Sequence, residues 1–300
     1  TSSHDPETDP ALPAHFSGGD LGGKLVCRQH LLAELGLEAL PKGLVCGMVT
    51  RLAEQKGLDL LLDSAEEAIS MGCTMIVQGQ GKPEYVEGLK RLASLNPQRF
   101  AYVSDFDPDL AQRIYAGSDA FLMPSRYEPC GLGQMFAMRY GTLPLVHYTG
   151  GLADTVTEDM TGFTFTPFTA EGFLKALQKA VRVKGEDKEW TRMVRLAMKE
   201  DFSWTRTAPE YLRLYQEAVT SRQAGEGLFT LGQANFVFSD WNLDQRESRF
   251  STEPSGEGEK SAKHPLSPSR WEGAGGWERT GVIQSTCTFH ATGERRFWWT

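Results

Sequence analysis

From Gly43 to Tyr148 short apolar runs alternate with amphipathic stretches at a spacing that few architectures satisfy. The apolar runs are GLVCGMV (43–49), CTMIVQG (73–79), FAYVS (100–104), DAFLMPS (119–125) and LPLVHY (143–148). Between them lie GLDLLLDSAEEAISMG (57–72), PEYVEGLKRLASL (83–95), DPDLAQRIYAG (107–117) and GLGQMFAMRYG (131–141), each with apolar residues at helical spacing. Strands separated by helices predict a parallel sheet with right-handed crossovers, an α/β Rossmann-like domain flanked by helices. LGGKLVCRQHLLAELG (21–36) adds a helix before it, and three helical segments follow at 170–183, 188–200 and 204–219. In such a sheet ligands sit at the carboxyl ends of the strands, so chemistry is sought in the loops that follow them.

Outside this zone the texture changes. Residues 1–20 are rich in Pro, Gly, Asp and Ser and read as irregular, 21–220 as the folded domain. Residues 222–300 hold Gly, Ser, Pro, Arg and isolated Trp without periodicity, which predicts a poorly ordered C-terminal tail. The net charge of −8 and pI near 5.4 argue against non-specific nucleic-acid binding, which needs a basic face. Cys27, Cys46, Cys73, Cys130 and Cys287 form no CxxC pair, so neither a disulfide framework nor a zinc site is expected. No leader-like segment and no apolar run of membrane-spanning length is seen, and the expected setting is the reducing cytoplasm, with no membrane partner.

Five loops carry candidate chemistry. TRLAEQKG (50–57) places Arg51 and Lys56 beyond the first strand, a fork and a point charge that suit a diphosphate; the plain alternative is a solvated loop. VQGQG (77–81) is a glycine turn, read as structural. PSRYEPCGLGQ (124–134) sets Glu128 ahead of a helix expected to open at Gly131. There Glu128 either accepts bonds from sugar hydroxyls and faces a cationic transition state, or complements the helix dipole from its first turn. Cys130 reads as a packing residue, since no His is placed to activate it. TGGL (149–152) gives a close-approach turn at Gly150 and Gly151. Phe106, past the strand FAYVS, either stacks on a base or packs in the core. The histidines lack metal-ligand spacing, and His147 stands near the glycine turn.

TRLAEQKGLDLLL, then SDFDPDLAQRIYAGSDAFLMPSRYEPCGLGQMFAMRYGTLPLVHYTGGLADTV, then FSWTRTAPEYLRLYQEA, resemble the C-terminal half of bacterial glycogen synthase and plant starch synthase, glycosyltransferase family 5. The resemblance spans about residues 5–220, and the opening stretch looks like that family's inter-domain segment. It implies the C-terminal domain of a GT-B fold, whose active site lies between two Rossmann-like domains. It further implies glucose transfer from ADP-glucose to the non-reducing end of an α-1,4-glucan, with retention and with neither metal nor other cofactor. Through the matching motifs, Arg51 and Lys56 look like the pair on the diphosphate and Glu128 like the acid beside the donor glucose. Phe106 stands where an aromatic meets adenine. Cys130, Gly131 and Leu132, with Thr149, Gly150 and Gly151, lie in the loops facing the donor. Gly133 departs from the family's EPCGLTQ, which has Thr there. The family's Lys-Thr-Gly-Gly-Leu loop and acceptor groove, which belong to its N-terminal domain, have no counterpart here.

Two functions compete on this reading. One is a glucosyltransferase half that acts on ADP-glucose and glucan when an N-terminal domain is supplied. The other is a non-catalytic fragment that binds ADP or ADP-glucose and transfers nothing, because half a cleft neither excludes water nor orients an acceptor.

Overall fold

The computed structural model describes residues 4–39 and 43–223. Residues 1–211 form one compact unit, and a second begins at Leu212. The first unit is built on six parallel strands: β1 (Val45–Val49), β2 (Thr74–Gln78), β3 (Phe100–Val103), β4 (Ala120–Met123), β5 (Leu143–His147) and β6 (Phe163–Phe165). Their order in space is β3-β2-β1-β4-β5-β6. The chain winds outward from β1 in one direction, then returns and winds outward in the other, so β1 and β4 flank the point where the connections reverse.

The helices are α1 (Gly22–Glu34), α2 (Leu58–Ser70), α3 (Pro83–Leu95), α4 (Pro108–Gly117), α5 (Gly133–Arg139), α6 (Gly150–Thr155), α7 (Ala170–Lys184), α8 (Asp187–Lys199) and α9 (Trp204–Gln223). Local chemistry sets several of their starts. Pro83 and Pro108 occupy first-turn positions where a missing N–H costs nothing. Asp107 caps α4 by accepting from the Asp109 and Leu110 N–H groups at 2.9 and 3.1 Å. Thr169 caps α7 by accepting from Gly172 N–H at 3.1 Å.

Helices cover both sheet faces, which is why β1 and β2 read as unbroken apolar runs. Alternate residues go to opposite sides. Cys46, Met48, Met75 and Val77 enter the larger core, and Val45 and Ile76 enter a smaller one with Leu31, Leu32, Leu110 and Ile114. Each fully buried Leu or Ile in these layers contributes roughly 1.5–3 kcal/mol. Gly47 lets α4 approach β1: a Cβ there would lie 2.6 Å from Ile114 Cγ2.

Three expectations change. β6 was not anticipated from sequence. It has three residues, too few for period-two alternation to register, and it finds its place by pairing with β5. The helix expected to open at Gly131 begins at Gly133, because Gly131 takes a φ of +74° that no helix contains. The irregular segment is also less detached than its composition implies. Residues 4–20 hold no helix or strand, yet Leu12 and Phe16 join the core and the buried Asp9 accepts a hydrogen bond from Tyr140 Oη. The tail expected at 222–300 lies outside the described residues, apart from the last turn of α9.

Candidate functional site

A cavity of about 350 Å³ opens at the carboxyl ends of β1 and β4, at the reversal point of the sheet. Its polar lining includes Thr50, Lys56, Ser125 and Glu128, and Phe121 and Met123 form part of its apolar wall. Tyr115 also lines it; burial pushes its phenol above the ordinary value, so the group stays protonated at any physiological pH.

Two loops carry the charged groups. After β1 the chain runs through Thr50 and Arg51 into a short 3-10 turn, Glu54–Lys56, closed by Gly57 in the left-handed region at φ +71°. After β4 it runs through Ser125 to Glu128. The loops are stitched together: Arg126 N–H donates to the Gln55 carbonyl at 2.9 Å, and Gln55 Nε2 donates to the Tyr127 carbonyl at 3.3 Å. Gly57 permits the approach, since a Cβ there would fall 1.8 Å from the Pro124 carbonyl oxygen.

This stitching brings Lys56 and Glu128 together. Lys56 Nζ donates to Glu128 Oε2 at 2.5 Å, with side-chain exposures of 17% and 8%. Ser125 Oγ donates to the same oxygen at 3.3 Å. Glu128 therefore lies five residues ahead of the helix and buried, which removes the first-turn dipole role considered from sequence. Two of the three Lys56 ammonium N–H groups remain beyond the one given to Glu128. Arg51 is exposed beside Thr50, and among the described residues its guanidinium makes no ion pair or hydrogen bond; its carbonyl accepts from Ala53 N–H at 3.0 Å.

The remaining expected residues divide. Phe106 is 69% exposed, which rules out the core-packing alternative. Leu132 and Cys130 are exposed, and Gly131 and Leu132 line the cavity. Gly150 and Gly151 serve close approach, but to the chain's own backbone. Cβ atoms there would sit 2.3 Å from the Glu128 and Cys130 carbonyl oxygens, and Gly151 N–H donates to Glu128 O at 2.9 Å. Thr149 is half-buried at the N-cap of α6. The VQGQG turn is structural, as expected: Leu52 N–H donates to Gln80 O at 2.7 Å and Lys82 N–H to Leu52 O at 2.9 Å. At Gly133 a Cβ would point at Phe121 Cε1, 3.1 Å away, so a Thr side chain would press on the cavity's aromatic wall.

Three side chains hold these loops: Gln134 and Gln78, which sequence reasoning missed, and His147, which it noted near the glycine turn without this role. Gln134, fully buried, donates from Nε2 to the Cys130 and Gly131 carbonyls at 3.1 and 3.0 Å, and lies 3.1 Å from Thr155 Oγ1. His147 donates from Nδ1 to the Ser125 carbonyl at 2.9 Å, which fixes its tautomer, and its ring packs on Phe165 and Phe168. Gln78, at the end of β2, donates to the loop bearing Phe106. A polar residue inside an apolar run is the signal that marks Gln78 and His147; Gln134 carries none. Among the described residues no three His, Cys, Asp or Glu side chains gather, and no helix is long and apolar enough to cross a membrane.

Comparison with known proteins matches residues 38–196 to the family described as glycosyl transferases group 1. Glycogen synthase of Anaeromyxobacter dehalogenans (strain 2CP-1) is 45% identical over 224 residues, covering 73% of this chain and 47% of the relative. Glycogen synthase of Kosmotoga olearia is 42% identical over 226 residues, again 73% and 47%. The catalytic domain of starch synthase IV from Arabidopsis thaliana, solved with ADP and acarbose, superposes with a TM-score of 0.69 at 35% identity, covering 73% of this chain and 48% of that one. The chain thus spans about half the length of the relatives it matches.

Proposed function

Because the chain belongs to the group 1 glycosyl transferases, we propose that residues 44–152 form the donor-binding half of a glucosyltransferase of the glycogen and starch synthase kind. The donor in this reading is ADP-glucose and the acceptor the non-reducing end of an α-1,4-glucan, with the anomeric configuration retained. The observation that carries it is the part-buried Lys56–Glu128 pair at the sheet's reversal point, with the exposed Arg51 guanidinium on the same loop.

Chemically, the bond from glucose C1 to the diphosphate oxygen breaks, a bond from the acceptor hydroxyl oxygen to C1 forms, and the hydroxyl proton passes to the departing diphosphate. Negative charge collects on the departing ADP, and positive charge develops at the sugar ring. Arg51 offers a planar fork to the diphosphate, and Lys56 offers its two remaining donors. Glu128, held by Lys56, Ser125 and its burial, is a fixed acceptor for glucose hydroxyls and a fixed negative charge beneath the ring. The exposed ring of Phe106 supplies a face for the adenine. That starch synthase IV was solved with ADP supports adenosine diphosphate as the nucleotide.

Calorimetric titration with ADP tests the site. Arg51→Ala is expected to weaken ADP about tenfold, the scale of one charge-assisted contact. Lys56→Ala is expected to weaken it further and to lower the melting temperature, since it leaves Glu128 buried without its cation. Unchanged ADP affinity in both variants would remove the diphosphate assignment. The alternative of a chain that binds donor without transferring it is favoured by one fact: the match covers 47% of the relative's length.

A further inference from the structure

Gln78 is the last residue of β2 and is completely buried. The four residues before it, Thr74 to Val77, are buried too. Nothing in the sheet needs an amide there. The amide instead reaches out of the sheet: Nε2 donates to the Asp105 carbonyl at 3.2 Å and to the Asp107 carbonyl at 2.8 Å. These are the two carbonyls on either side of Phe106. Both N–H bonds of one rigid amide are thus spent on the backbone that sets where the Phe106 ring stands.

Other contacts fix the same loop at its ends. Asp107 caps α4 through two backbone N–H groups. Gly79 N–H donates to the Val103 carbonyl at 3.0 Å, and Tyr102 Oη donates to the Gly79 carbonyl at 3.0 Å. Among the described contacts, the Gln78 amide is what grips the middle. Gln78 Oε1 is buried and has no hydrogen-bond partner. An apolar side chain would remove that unpartnered oxygen and so offset much of what the two lost hydrogen bonds cost, which leaves stability a weak reason to keep glutamine. An exposed ring on a clamped loop serves no packing purpose either; a clamp makes sense where the ring must meet something at a set height and tilt.

We infer that Gln78 is a positioning residue that holds Phe106 for stacking on the base of the donor nucleotide, and so contributes to nucleotide selectivity without touching the nucleotide. The inference rests on the reading of the cleft as an adenine-diphosphate site. It extends that reading to a residue on a strand that contributes no side chain to the cavity lining.

The test uses the 300-residue chain, two ligands and a double-mutant cycle. ADP carries the base; inorganic pyrophosphate carries a diphosphate alone. Gln78→Met is expected to weaken ADP roughly tenfold, within what loss of a base–aromatic stack costs, and to leave pyrophosphate unchanged. Its melting temperature is expected to shift by no more than a few degrees, since the two lost hydrogen bonds and the removed unpartnered oxygen largely offset. Phe106→Ala is expected to show the same ligand split, and the double variant to bind ADP no more weakly than Phe106→Ala alone. Should Gln78→Met not fold, Gln78→Thr, β-branched and too short to reach the loop, takes its place. Equal weakening of both ligands would make Gln78 merely structural and overturn the inference. Unchanged ADP affinity in Gln78→Met, beside a loss in Phe106→Ala, would overturn it and spare the proposed function. Wild-type chain that binds ADP no better than pyrophosphate would overturn the base contact itself, and the inference with it.

Discussion

Lys24 lies far from the cleft in function, yet its surroundings make a sharp statement about pH. Its Nζ is 2.9 Å from the Ala116 carbonyl, 2.9 Å from the Tyr140 carbonyl and 2.8 Å from Thr142 Oγ1, at the C-terminal ends of α4 and α5 where helix dipoles favour a cation. Burial still dominates and pulls the amine from 10.5 down to about 7, with Asp119 opposing. Between those two values the unfolded lysine holds a proton that the folded one has released. The unfolded state then binds more protons, so this group makes stability rise with pH across that window. Melting temperatures measured from pH 7 to 9 are expected to climb relative to Lys24→Met, which lacks the titration. Parallel profiles for the two proteins would remove the claim. Of the residues singled out in sequence, Lys56 and Glu128 line the cavity, and Arg51 and Phe106 are outside its lining. All four drew notice through the family motifs they sit in, since a charge or an aromatic ring in a loop reads equally well as a solvated or packing residue. Ser125 and Gln134 did not, and His147 drew notice only for its place near the glycine turn, because their work is to hold neighbouring loop atoms, and no spacing in a sequence records which atoms lie near.

At the scale of elements, β1 to β5 and their helices were legible because each buries a full face and so repeats apolar residues at its own period. β6 was not legible, and the start of α5 was misplaced by two residues, because both are set by tertiary fit: pairing with β5 in one case, the left-handed Gly131 in the other. Two glycines separate the local from the tertiary part of such constraints. Gly36, after α1, has φ +66° and nothing within 4 Å of where a Cβ would stand, so Gly36→Ala should cost only the left-handed strain, about 1–2 kcal/mol. Gly57 has φ +71°, and the Pro124 carbonyl oxygen lies 1.8 Å from the place its Cβ would take. Gly57→Ala should therefore cost roughly 3–5 kcal/mol and should also disturb the Lys56–Glu128 pair. Urea denaturation of both variants decides it, and similar losses would contradict the assigned contact.

For the molecule as a whole, the constraint is extent. The chain covers about half the length of the glycogen synthases it matches, and the open cavity faces outward from the ends of β1 and β4. Transfer needs water excluded and an acceptor held in line, and one side of a cleft supplies neither. A polypeptide of these 300 residues is expected to bind ADP yet to incorporate no radiolabelled glucose from ADP-glucose into glycogen. Adding the amino-terminal half of a relative, as a fusion, is expected to restore incorporation. Incorporation by the unaided polypeptide would show that this half suffices.

The stitching between the loops after β1 and β4 has a consequence for descent. Arg126 bonds the Gln55 carbonyl, Gln55 bonds the Tyr127 carbonyl, and Gly57 is pressed against Pro124. Each loop takes part of its shape from the other. They are a single heritable unit written in two places, with every element from α2 to β4 between them, and selection on either one edits the other.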